Sequence, residues 1–230
     1  MKTKLISLAF LSMFVFNCNQ NKEQKTPEID YTYTTQNISI SNCTDKDIKL
    51  FNEALLSFEN DIKTKYNVND QNINRAYIGF LNDTRNNRIN LQAMVSKPTK
   101  TVFEALKTRT DIWTENNQLN YNSDIVKCLV ENISDKNLKT TFHALLSTNS
   151  MSFRMYGEAV RSRSITLRSD KYLSLFLALD QYYAKLHNVD LSKAKEAESN
   201  IDFNKRPAKK QIQKEAENNK KNAHAGHNHG

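Results

Sequence analysis

Glycine is nearly missing from the body of this chain. Of its four glycines, Gly226 and Gly230 stand in the last few residues, leaving Gly79 and Gly157 for everything before them. Tight hairpins need positions at positive φ, which glycine occupies without steric penalty. A chain so poor in glycine has few ways to turn between paired strands, so the scarcity points to helices. The prolines agree with this. Pro27, Pro98 and Pro207 each suit a boundary, and none has to interrupt a helix.

Apolar spacing fills in the helices. Ile48, Phe51, Leu55, Phe58, Ile62 and Tyr66 fall on one helical face, with Thr44 as the expected N-cap and Asp47 three residues on. Asp70 is the expected cap of a second helix carrying Ile73, Tyr77, Phe80 and Leu81. After Pro98 come Val102 and Leu106, then Ile112 and Trp113. Ser123 opens a segment with Ile125, Leu129 and Ile133, and Asp135 opens one with Leu138, Phe142 and Leu145. A basic, helix-like stretch runs from Met151 to Leu167. Asp170 begins the most apolar helix, which carries Tyr172, Phe176, Leu179, Tyr183 and Leu186, with further leucines on its other faces. The sequence therefore predicts an all-α fold, an irregular bundle of six or seven helices. Tyr31–Ile40 alternates and reads as an extended segment laid on that body.

The two ends have a different character. Lys2 and Lys4 precede an apolar run, Leu5–Phe16, that stops at Asn17 and Cys18. Twelve helical residues span roughly 18 Å, well short of the ~30 Å hydrocarbon core of a bilayer, so the run suits an export signal and not a permanent span. It resembles the signal of bacterial lipoproteins: Val15 is the branched aliphatic residue three before the cysteine, although Phe16 and Asn17 are larger than the residues usual between them. The resemblance covers only the leader. It implies that Cys18 becomes a lipidated N-terminus and that the protein is anchored to a membrane without crossing it. Asn19 is not the Asp that resembles an inner-membrane retention signal, so the implied destination is the outer membrane. Ordinary secretion with Cys18 discarded or free is the alternative.

The expected organisation is a signal peptide over residues 1–17, a polar tether over 18–30, a helical domain over 31–191 and a polar, disordered tail over 192–230. The formal charge of +8 and a pI near 9.3 would ordinarily raise nucleic acid as a partner. Export removes it, leaving acidic lipid heads, acidic glycans or another envelope protein.

Four groups of residues carry candidate chemistry. With Cys18 assigned to lipid, Cys43 and Cys128 remain as a pair in an oxidising compartment. A bridge closing so long a loop contributes about 4–5 kcal/mol in the chain-entropy picture; the alternative is two buried thiols. His224, His227 and His229 form a flexible terminal cluster able to converge on zinc, copper or nickel, against the plainer reading of a solvated end. Arg154, Arg161, Arg163 and Arg168, with Ser162, Ser164 and Ser169 among them, are a candidate anion site. There the alternative is a simple pair of Arg154 with Glu158, one turn on. His143 and His187 lack a Glu three residues earlier, so the paired Glu-x-x-His pattern of di-iron bundles is missing, and a boundary pair of His187 with Asp180 is expected. There is no P-loop, no dinucleotide fingerprint, no Gly-x-Ser-x-Gly elbow and no His-Glu-x-x-His. The function expected is a lipid-anchored envelope binding module without enzymatic activity. A metal-binding lipoprotein, and a hydrolase with no recognisable motif, are the alternatives.

Overall fold

The structure, a computed structural model, describes residues 29–34 and 39–193. Cys18 and the histidines of the C-terminal end lie outside the described residues.

Among the described residues the protein is an all-α bundle. Its helices are α1 (Ile48–Tyr66), α2 (Ile73–Arg85), α3 (Lys97–Lys107), α4 (Asp124–Glu131), α5 (Lys136–Ser147), α6 (Phe153–Ser162) and α7 (Lys171–Ala178). The axis of α7 continues through a π-helical turn, Leu179–Tyr183, into a last α turn, Ala184–Leu186. No helix among the described residues is long and apolar enough to cross a membrane.

The apolar periods read from the sequence are the buried faces. In α1, Leu50, Phe51, Ala54, Leu55, Phe58 and Ile62 are fully buried, and they pack against α2, α3 and α7. Everything from Leu173 to Ala184 is buried, so α7 is the central helix. A knot of rings joins the elements: Phe58 lies edge-on to Tyr77 and Phe80 and against Tyr182, while Phe176 meets Phe142 and Tyr156.

Both body glycines sit inside helices, not in turns. A Cβ on Gly79 would come within 2.7 Å of the Tyr66 ring, and one on Gly157 within 3.1 Å of the Phe153 ring. The left-handed positions are taken instead by Asn67, Asn87, Asn117 and Asn149, all with φ between 50° and 57°. Asn tolerates this region better than other residues with a Cβ. At Asn67 the turn closes α1, with the Val68 amide donating to the Lys63 carbonyl at 3.0 Å.

Several local expectations need correction. Thr44 does not cap α1; Asp47 holds that place without a side-chain capping bond. Asp45 and Asp47 turn instead to the buried Arg109, whose Nη1 donates to Asp45 at 2.8 Å and to Asp47 at 3.0 Å, while its Nε and Nη2 reach Asp111. Asn69, not Asp70, provides the cap before α2, accepting from the Asn72 amide ahead of a short 3₁₀ turn. Ile112 and Trp113 lie beyond α3 in a loop with an isolated antiparallel bridge between Trp113 and Leu119. The basic stretch from Met151 is α6 followed by a separate 3₁₀ turn, Ser164–Thr166.

The segment ahead of α1 lies on the body but forms no strand among its described residues. The amides of Thr32, Tyr33 and Thr34 all donate to the carboxylate of Glu53, which is buried in α1. Further along, Cys43 and Cys128 form a disulfide with Cα atoms 5.7 Å apart, tying this segment to α4.

Candidate anion-binding cleft

The C-terminal half of α2, the outer face of α6 and the π-helical turn of α7 enclose a cavity of about 730 Å³. That volume is ordinary for a small-molecule site. Its rim carries four cations, Arg85, Arg154, Arg161 and Lys185, against a single carboxylate, Glu158.

Each reaches the rim for a local reason. Arg85 is the last residue of α2. Arg154, Glu158 and Arg161 succeed one another at three- and four-residue intervals along α6, so they share its outward face, while Tyr156 and Val160 point inward. Lys185 stands in the short α turn that follows the π-helical turn. Such π-helical turns add a residue to the helical repeat and are frequent at functional sites.

Glu158 is engaged on both sides. Its Oε2 accepts from Arg85 Nη1 at 3.1 Å and from Arg161 Nε at 3.0 Å, and its Oε1 accepts from Arg161 Nη2. The hydrogen bond from Arg161, then the charges of Arg161 and Arg85, hold its carboxyl below the usual range. Arg154 and Lys185 make no ion pair or side-chain hydrogen bond among the described residues. Burial lowers the Lys185 ammonium from the ordinary lysine value, opposed by the charge of Asp180.

The floor is polar at two points and apolar elsewhere. Gln181 is buried, and its amide nitrogen donates to Asp180 at 2.6 Å and to the Tyr156 hydroxyl at 3.2 Å. That fixes the amide and leaves its oxygen without a donor among the described residues. The Thr84 hydroxyl is buried with no partner. Leu81 and the Phe153 ring, flush against Gly157, supply the apolar surface. Asp180 also accepts from the Tyr121 hydroxyl at 2.8 Å and from Tyr156. Burial, reinforced by the Asp180 charge, pushes both phenols well above the ordinary tyrosine range.

The structure brings two of the four candidate arginines together. Arg154 and Arg161 line the cleft, whereas Arg163 donates to Asp135 at 3.0 Å and Arg168 to the Gln71 carbonyl at 3.4 Å. Ser162 and Ser169 donate to backbone carbonyls within their own turns. Glu158 pairs with Arg161 and Arg85, not with Arg154.

The expected Asp180–His187 pair does not form. Asp180 is taken by the two tyrosines and Gln181, and His187 packs edge-on to Phe103 and Trp113 with its Nε2 buried and unpartnered. His143 sits 3.3 Å from Glu131 at the surface, beside a smaller cavity of about 340 Å³. No group of three or more His, Cys, Asp or Glu side chains among the described residues is arranged to hold a metal ion. His224, His227 and His229 fall outside them.

The chain matches no protein family, no curated protein and no solved structure. The cleft therefore has to be read from its own chemistry.

Arg85, Lys185, Gln181 and Thr84 were not among the sequence candidates. A signal existed for two of them. In the stretch 172–186, Asp180 and Lys185 are the only charged residues, and Gln181 sits beside the first. Polar side chains kept in the most apolar helix mark positions with a use beyond apolar packing. Arg85 carries no such mark, because nothing local says that the end of α2 meets α6.

Proposed function

We propose that the protein is a lipid-anchored bacterial envelope module, without enzymatic activity, that binds an acidic glycan in the cleft between α2, α6 and α7. The observation that carries this reading is the gathering of Arg85, Arg154, Arg161 and Lys185 around one cavity with a single opposing carboxylate. Like charges converge in this way at a cost in mutual repulsion, which an anionic ligand relieves. Binding suits the site better than turnover. The neighbouring arginines hold the Glu158 carboxyl below the usual range and so make it a weak base, and Asp180 is committed to two phenols and an amide, so neither carboxylate is poised to take a proton from a bound molecule. The disulfide supports an exported location, since such bonds persist outside the cytoplasm.

Two measurements test the reading. The Arg154→Glu, Lys185→Glu double variant should bind oligogalacturonate at least tenfold more weakly than wild type at low ionic strength, with neutral dextran bound by neither; equal affinity would remove the cleft as the site. Replacing Cys18 by Ser should release the protein from the membrane fraction, and unchanged fractionation would remove the anchor.

A further inference from the structure

We propose that Glu158 is a built-in occupant of the cleft's acidic subsite, holding Arg85 and Arg161 in place until the acidic group of a saccharide displaces it. The inference rests on the glycan-binding reading above and says which atoms the ligand's anion meets.

The geometry is that of a recognised anion. Arg161 presents Nε and Nη2 side by side to the two oxygens of Glu158, the fork by which arginine grips any planar oxyanion. Arg85 closes the other side from a different helix. The seat between these two arginines is therefore already shaped for a carboxylate or a sulfate ester, and Glu158 fills it.

The seat is exposed, so only surface ion pairs oppose exchange. The side chains of Arg85, Glu158 and Arg161 are 59%, 60% and 41% exposed. Exposed pairs of this kind hold their partners weakly and are screened by salt. Arg154 and Lys185 flank the seat with no ion-pair partner among the described residues, so an incoming polyanion gains contacts that Glu158 cannot make. Once displaced, Glu158 can turn to solvent, repelled by the anion that replaced it.

The floor specifies the rest of the ligand. The Gln181 amide oxygen accepts no bond from the described residues and is open to one from a ligand hydroxyl. The Phe153 ring lying on Gly157 offers a flat apolar wall of the kind that accepts the face of a sugar ring. A hydroxyl, a ring face and an acid together describe an acidic saccharide. Uronates and sulfated sugars share that chemistry, so both serve as probes.

The sign of one substitution decides the matter. Glu158→Gln should bind oligogalacturonate or dextran sulfate about fivefold more tightly than wild type at low salt, because the seat then lacks its competitor. Glu158→Asp, which keeps the charge, should stay close to wild type. Glu115→Gln makes the same change in net charge at an exposed site away from the cleft and should show no comparable gain. The gain should vanish when Arg161→Gln is added to Glu158→Gln. A gain with oligogalacturonate alone assigns a carboxylate to the seat, and a gain with dextran sulfate alone assigns a sulfate ester; either supports the proposal. Weaker binding by Glu158→Gln would mean that Glu158 itself receives the ligand's hydroxyls, and would overturn displacement while leaving the cleft intact. A gain matched by Glu115→Gln would also overturn it, as a bulk charge effect. If the Arg154→Glu, Lys185→Glu variant keeps wild-type affinity, the cleft reading and this inference fall together.

Discussion

Replacing Cys43 and Cys128 together by serine is expected to lower the free energy of unfolding by about 4 kcal/mol. The bridge spans 85 residues of chain, and the entropy lost by the unfolded ensemble on closing a loop of that length is what the bond contributes. In the native state the bond adds to other contacts of this segment: Ile40 is buried, the Ser39 amide donates to Asn52 at 2.9 Å, and Asn42 donates to Asn132 at 3.1 Å and to the Tyr172 hydroxyl at 3.1 Å. For a body of this size 4 kcal/mol is a large share of the total. Urea denaturation with and without reductant measures it. Wild type should shift to a lower midpoint on reduction, and the double serine variant should match reduced wild type and ignore reductant. A loss under 1 kcal/mol would mean that the segment is held by its non-covalent contacts alone.

The second large effect is one of pH and centres on Asp61. This carboxylate is buried in α1 and accepts from the Thr99 hydroxyl at 2.5 Å, the Tyr182 hydroxyl at 2.6 Å and the Ser96 amide at 3.3 Å. Ser96 caps α3, so the acid also faces the positive end of that helix. It has no ion-pair partner among the described residues. Burial therefore wins over its hydrogen bonds and raises its pKa from 3.8 to about 6. A carboxyl that holds its proton more tightly when folded favours the folded state most in acid. Its contribution is full below pH 3.8, is lost as the pH climbs to about 6 and is flat beyond. Across that window the loss is on the order of 3 kcal/mol.

Asp61→Asn removes the titration while keeping an oxygen acceptor for the surrounding donors. The difference in unfolding free energy between wild type and Asp61→Asn should move by about 2 kcal/mol in favour of the variant between pH 4 and pH 7. Taking the difference cancels groups such as Asp111 and Asp135, which their arginine neighbours and hydrogen bonds shift the other way. Asp61→Ala is expected to destabilise at every pH, because Thr99, Tyr182 and Ser96 would all lose their acceptor. A pH-independent difference for Asp61→Asn would show that the buried acid does not titrate in this range.

The helices were legible in the sequence because burial and periodicity are the same signal seen twice. Phe51, Leu55, Phe58 and Ile62 had to share a face, and that face is the core. Helix ends were less legible. Asp45 and Asp47 carry the side chains of cap residues, but a partner 62 residues or more away in the chain, Arg109, takes them. Local chemistry gives no warning of such a competitor. The left-handed turns were written in asparagine, a residue too common in this chain to stand out.

The cleft was half legible for the same reason. Arg154 and Arg161 could be placed on one face of α6 from their spacing alone. Arg85 and Lys185 join them through tertiary contact between α2, α6 and α7, and no local pattern encodes which helices become neighbours. Arg163 and Arg168 looked equivalent to the other two in sequence, but the turn after Ser162 carries them to other partners.

The π-helical turn at Leu179–Tyr183 gives α7 two phases instead of one. A regular helix begun at Lys171 would keep a single rotational setting to its end. One surplus residue in the turn advances everything after it by about a quarter of a revolution. Tyr182 and Tyr183 are both fully buried within this turn, and Lys185, just beyond it, stands on the rim of the cleft. The extra residue works as a hinge pin between two registers. The core holds Ala184 and Leu186 after the turn as it holds residues 173–178 before it, so Lys185 reaches the cleft from a segment whose neighbours on either side stay buried.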